Sequence, residues 1–182
     1  MRNPTRAFPV LLLAAAALVA ACASKGDKPL GSAVADLESK SGSKVTGRAV
    51  FTRIDKDWVH LRIDIAGATP GIHAVHIHEK GDCSAADAAS AGGHWNPWKK
   101  KHGAWMQVDG NFHLGDLGNI EAGADGRGAL ELTTDQFDIG CDCEKDAVGK
   151  SVVVHEKADD LKTDPTGNAG ARIACGPIRA SK

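Results

Sequence analysis

The sequence predicts an all-β domain, a β-sandwich or flattened barrel of about eight short strands with two long functional loops. Three observations predict it. Apolar and polar residues alternate over short stretches, the period of a strand with one buried face. Turn residues separate those stretches, and glycine is abundant, at 21 of 182 residues. Two long stretches, 82–118 and 156–171, lose the alternation altogether, and loops of that length in a compact domain usually carry function. A chain of this length with a net charge of −1 fits one domain and offers no basic face for nucleic acid.

The chain opens on a targeting segment. Arg2 and Arg6 precede a continuous apolar run from Val10 to Ala20, too short for a membrane span and suited to a signal peptide over residues 1–21. The run ends in Val19-Ala20-Ala21-Cys22, which resembles a bacterial lipobox, with Cys22 lipidated as the first mature residue. Ordinary cleavage near Ala21 or Ala23 would make a cysteine at that point a coincidence. Loss of residues 1–21 removes two basic and no acidic side chains, so the mature chain carries −3. Residues 22–32 read as a flexible tether and 33–182 as the folded domain. Ala23 is not the aspartate associated with inner-membrane retention. The expected location is therefore a periplasm-facing lipoprotein of a Gram-negative outer membrane, anchored through Cys22.

Val45 to Arg53 reads as a strand of imperfect alternation, and Asp55 to Asp57 as the turn into the next. From Trp58 to Ile65 the pattern is clean, with Val59, Leu61, Ile63 and Ile65 on one face and His60, Arg62 and Asp64 on the other. Pro70-Gly71 breaks the chain before GIHAVHIHEKGD. In that strand His76 and His78 share a face, about 7 Å apart, while His73, Val75 and Ile77 share the opposite one. Trp95, Trp98 and Trp105 indicate that the first long loop is ordered. Strands resume at Leu117–Ala122 and Gly128–Thr133, joined by an Asp125-Gly126 turn, then at Ser151–His155 and Arg172–Cys175.

Two same-face histidines on a rigid strand are half of a metal site. His94, His102, His113, Asp116 and His155 supply further ligand types. Six histidines and one aspartate exceed one tetrahedral site and suit two, especially if one deprotonated imidazole bridges two cations. Imidazoles suit copper and zinc, and three histidines with one aspartate suit zinc.

These residues stand in the segments HAVHIHEKGDC, SAGGHWNP, KKHG, HLGDLGN, VVVHEKADDLKT and TGNAGARIACG. In that order, over most of residues 42–178, they resemble the copper-zinc superoxide dismutases, specifically the bacterial secreted members. The resemblance implies a Greek-key eight-stranded flattened β-barrel of immunoglobulin-like sandwich type. It implies copper on His76, His78, His94 and His155, and zinc on His94, His102, His113 and Asp116, with His94 bridging. Asp159 matches the carboxylate tying His76 to His102. Arg172 matches the arginine at the mouth of the copper channel, Thr166 the residue opposite it, and Cys83 and Cys175 the internal disulfide. Trp95 departs from the usual phenylalanine. The segment 104–112, with Trp105, Met106 and an Asp109-Gly110 turn, departs from the family pattern between two zinc ligands. His73 follows the family pattern as a hydrogen-bonded core histidine, and His60 reads as a solvent-facing residue.

The implied reaction is disproportionation of superoxide to oxygen and hydrogen peroxide by alternating reduction and reoxidation of copper, with zinc redox-inert and structural. The substrate is a small anion that Arg172 can dock. Lys157 and Lys162 read equally as steering charges or as a solvated loop face. A copper-holding lipoprotein without turnover and a purely structural barrel are the competing readings. The complete ligand set, with Asp159 and Arg172, argues against both. A homodimer is compatible with the family, which also includes monomers.

Cys141 and Cys143 are not explained by the resemblance. Two residues apart in an exported domain, they are expected to form a small local disulfide. The sharper alternative is a reduced pair passing copper(I) to the site.

Overall fold

The computed structural model describes residues 31–181. The signal segment, Cys22 and the tether to residue 30 lie outside them. Gly31 and Ser32, expected at the end of the tether, belong instead to the barrel: the Gly31 carbonyl accepts the Arg53 amide and Ser32 opens a strand.

Among the described residues nine strands follow in chain order: β1 Ser32–Ser39, β2 Thr46–Arg53, β3 Val59–Ala66, β4 Gly71–His78, β5 Asp116–Ala122, β6 Gly128–Thr134, β7 Ser151–His155, β8 Arg172–Pro177 and the two-residue β9 Arg179–Ala180. Apart from one three-residue 3-10 turn at Ala89–Ala91, no helix occurs among the described residues. All pairings between strands are antiparallel, in the order β5-β4-β7-β8-β1-β2-β3-β6, with β9 added beside β1. β5 and β6 lie next to one another at the remaining gap, so the eight long strands nearly close a barrel. β7 returns beside β4 after the run β4-β5-β6, which is Greek-key topology.

β3 shows why the strands pair as they do. Val59, Leu61, Ile63 and Ile65 are all buried, while Arg62 and Asp64 between them are exposed and bond one another across the outer surface. A one-residue slip would exchange the two sets. β4 is different: six consecutive residues from His73 to His78 are buried. Val75 and Ile77 enter the barrel core. His76 and His78 point outward and are covered by two loops, 79–115 between β4 and β5 and 156–171 between β7 and β8. His73 is the expected core histidine, its Nδ1 3.0 Å from the His155 carbonyl and its Nε2 2.8 Å from that of Thr69. His60 is half-exposed beside Thr133.

The two loops are tied to the barrel rather than draped on it. Cys83 bonds Cys175, so a disulfide spanning 92 residues pins the first loop to β8. Trp105 packs edgewise on Phe112 and against Phe137, which accounts for the order of the unusual 104–112 segment. Trp95 is buried in the main core.

Candidate metal centre

Two register shifts aim the site. The β4–β5 ladder slips between Val75 and His76, and the β7–β8 ladder slips between Val154 and His155. A bulge bends its strand and redirects a side chain. Here each bulge falls immediately before a histidine, and both rings meet over the outer face of the barrel. His94 arrives from the first loop, bridged to His78.

Two groups of ligand atoms result, each within 4.8 Å: His76, His78, His94 and His155 in one, His94, His102, His113 and Asp116 in the other. Except for His94, the members are at most 4% exposed, and the side chain of His94 is 3% exposed.

Hydrogen bonds fix which nitrogen each ring presents. A carbonyl can only accept, so His78 donates through Nδ1 to Gly92 at 2.9 Å and His155 through Nδ1 to Gly170 at 3.4 Å. Both Nε2 atoms are then lone pairs, and they face each other at 3.3 Å. Two acceptors at that distance do not bond; a cation between them satisfies both. His76 donates through Nε2 to Asp159 at 2.8 Å, leaving its buried Nδ1 without a protein partner. His94 Nε2 is likewise buried and unpartnered, while its Nδ1 lies 2.9 Å from Asp116. The first group is thus a set of convergent imidazole nitrogens with no carboxylate, a donor set that suits copper. The second has three imidazoles around one carboxylate, with Asp116 3.0 Å from His102 Nδ1 and 3.2 Å from His113 Nδ1, a donor set that suits zinc.

The groups differ in electrostatics as well. Burial, reinforced by neighbouring histidines, pushes His78 and His155 well below the ordinary histidine range. Burial takes His94 down to about 4. Burial also works against the His102 imidazolium, but the bonds it donates to Asp116 and Asp159 outweigh it and raise His102 to about 9. Asp116 is the mirror case: burial opposes its charge, yet bonds from His102, His113 and His94 hold it well below the carboxylate range.

Asp159 joins the halves, accepting from His76 and His102 at 2.8 Å each. Gly167 sits against it with φ +62°, where a Cβ would overlap the Asp159 carboxylate. A cleft of about 430 Å³ opens on the first group, lined by His78, His94, His155, Thr166 and Arg172 among others. Lys157 and Lys162 do not line it.

The family model described as copper/zinc superoxide dismutase (SODC) matches residues 45–178. The chain belongs to that family. With the family come its two metals, copper and zinc, which the donor sets above fit, and its enzymatic class, an oxidoreductase acting on superoxide. The extracellular superoxide dismutase [Cu-Zn] of Caenorhabditis elegans is 42% identical over 127 residues, covering 66% of this chain and 55% of that longer protein. The superoxide dismutase [Cu-Zn] of Caulobacter vibrioides is 40% identical over 144 residues, covering 77% and 82%. The crystal structure of the clock protein EA4 superposes with a TM-score of 0.72 at 37% identity, covering 86% of this chain and 98% of that one.

Three positioning residues were missed in the sequence pattern. Asn119 clamps Asp159 at both backbone atoms, accepting its amide at 2.8 Å and donating to its carbonyl at 3.1 Å. Asp164 accepts the His102 amide at 2.8 Å, tying loop to loop. Gly92 offers one carbonyl to both His78 and Arg172. A carbonyl acceptor leaves no trace in residue type, so Gly92 could not have been found; Asn119 and Asp164 are polar residues among ligands and could have been suspected.

Proposed function

We propose that this chain disproportionates superoxide in the cell envelope, with copper at His76, His78, His94 and His155 and zinc at His94, His102, His113 and Asp116. The observation that carries this reading is His94, whose Nε2 belongs to one cluster without a protein partner and whose Nδ1 lies in the other beside Asp116. Copper supplies one-electron chemistry when bound, and zinc, which has none, supplies fixed charge.

The protein's own part is binding, orientation and proton handling. Arg172 is held by two carbonyls, Ala88 and Gly92, each at 2.7 Å, so its charge stays at the cleft wall. A guanidinium there attracts and orients a small anion. Thr166 lines the same cleft. Gly92 and Gly170 lock the tautomers of His78 and His155, and Asp159 locks those of His76 and His102. His94 Nε2 is the atom at which a proton can be held beside the substrate and given to the product.

Copper- and zinc-loaded protein should consume superoxide, and His76→Ala loaded the same way should not. Consumption unaffected by His76→Ala would contradict the site.

Export and anchoring at Cys22 complete the proposal. The apolar run ending in Val19-Ala20-Ala21-Cys22 supports it, as do two disulfides that persist outside the cytoplasm and relatives named as extracellular. No described helix is long and apolar enough to cross a membrane. Labelled fatty acid should enter the wild-type chain and not Cys22→Ser; equal labelling would remove the anchor.

A further inference from the structure

The segment between β6 and β7 supplies no side chain to either ligand group, although Cys143 shares a cleft with His94. Cys141 and Cys143 are disulfide-bonded there, their Cα atoms 5.3 Å apart. Cys143 is exposed and Cys141 half-exposed. The shape of the loop does not depend on the sulfur bond. Asp146 accepts three backbone amides that bracket the pair, from Gly140 at 2.9 Å, Asp142 at 3.1 Å and Val148 at 2.9 Å. Its own amide donates to the Cys143 carbonyl at 2.9 Å. Asp138 exchanges backbone bonds with Lys145 and Ala147, and Phe137, Ile139 and Ala147 are buried on either side. The two sulfurs would stay adjacent if the bond between them opened.

We propose that Cys141–Cys143 is a thiol–disulfide exchange site for small neutral or cationic thiols, opening and closing in place on the loop that Asp146 holds. The exposed Cys143 sulfur is the one attacked. A thiolate forms a bond to it, the Cys141–Cys143 bond breaks, and Cys141 leaves with the electron pair and takes a proton from water. A second small thiolate then attacks the sulfur of the first, and Cys143 leaves with the electron pair and takes a proton. Two thiols become one small disulfide, and the protein disulfide becomes a dithiol; closure is the reverse, with a small disulfide as oxidant.

The preference for charge comes from the surroundings. Cys143 lines a cleft with Glu79, Glu144, Asp146 and Lys150, and Asp142 adjoins it. Two cations stand nearby, Lys150 in the same cleft, 5.8 Å over the Trp95 ring, and Lys145, which donates to the Asp135 carbonyl at 3.2 Å, and the carboxylates outnumber them. Glu79, Asp142 and Glu144 are exposed carboxylates, so an anionic thiol is repelled.

The other disulfide gives the contrast. Cys175 is fully buried, in a small apolar cluster with Ala88, Ala91 and Val153. Exposed disulfides are the labile ones, and access limits attack.

Metal-loaded protein is treated with graded dithiothreitol, alkylated and digested with trypsin, which leaves Cys141 and Cys143 in one peptide. Both should alkylate at a reductant concentration at least about tenfold below that needed for Cys83 and Cys175, with copper and zinc retained. Opening of both disulfides together would overturn the proposal. Cysteamine should open the pair several-fold faster than mercaptoacetate at equal thiolate concentration, with the difference shrinking in high salt; equal rates at low salt would overturn the stated preference. Asp146→Asn, and Asp146→Ala where it folds, should slow reclosure by a small disulfide about tenfold if the brace keeps the thiols adjacent. Unchanged reclosure would show that Asp146 holds nothing.

Discussion

The two halves of the metal centre share His94 and almost nothing else. The half with His76, His78 and His155 stands on two bulged barrel strands, contains no carboxylate among its ligand atoms, and faces a cleft. The half with His102, His113 and Asp116 is carried by the first loop and the start of β5, and is built around a buried negative charge. The same burial that strips protons from His78 and His155 leaves His102 protonated, because Asp116 and Asp159 stand beside it. A strand-borne, neutral, open site suits a metal whose oxidation state must change as an anion comes and goes. A loop-borne, anionic, closed site suits a metal that holds structure.

The largest blow to this arrangement should be opening Cys83–Cys175. Closing so long a loop is worth roughly 4–5 kcal/mol in the chain-entropy model. Reduced protein should melt much earlier, and because the first loop carries His94, His102 and His113, it should lose zinc before copper. Equal retention of both metals by reduced and oxidised protein, measured by elemental analysis, would break the distinction between a loop-borne and a strand-borne half.

Asp116→Ala should come next. Removing one partner of a buried charged cluster costs about 3–5 kcal/mol. Zinc occupancy should fall first, with copper order following; unchanged zinc would refute the assignment. His78→Ala is the counterpart, losing copper while zinc stays. Asp159→Ala sharpens the comparison from the middle, lowering both affinities by about 10–100-fold, the usual effect of losing a partner to ligating histidines. An effect on one metal alone would mean that the carboxylate does not join the halves.

Arg172→Glu should be the mildest. Copper should remain, while the rate constant for superoxide consumption falls by about tenfold or more through lost attraction. In the parent protein the rate should decline as salt rises, since exposed charge is screened over roughly 8 Å at physiological ionic strength. A salt-independent rate would take steering out of the account.

The sequence made the two halves legible to different degrees. β3 could be read from alternation alone, because its inward residues are large and apolar, and β4 from the face shared by His76 and His78. β1 could not: Ala33 and Ala35 are fully buried, but alanine gives little contrast against Ser32, Asp36 and Ser39, and the strand begins inside what reads as tether. The seven ligand-type side chains were visible as residue types in family order. The bulges before His76 and His155 were not, because a register shift is a relation between two strands. The loop around Cys141 was likewise opaque, since Asp146 acts there through backbone amides of no particular sequence.

Proton counting tests the shared imidazole most directly. His102, raised to about 9, holds a proton at neutral pH in metal-free protein, and zinc must displace it to reach Nδ1. Its contribution to metal-free stability is full below the unfolded histidine range and is lost as pH rises through about 9. His78 and His155, well below their ordinary range, have no such proton to give. Neutral His94 has one N–H, so it can serve one cation intact and two only after losing it. Titration calorimetry at pH 7 in buffers of differing ionisation enthalpy should therefore find little proton release when copper binds zinc-free protein, and about one proton more when copper binds protein already loaded with zinc. Equal release in the two titrations would mean that no imidazole is shared between the two sites.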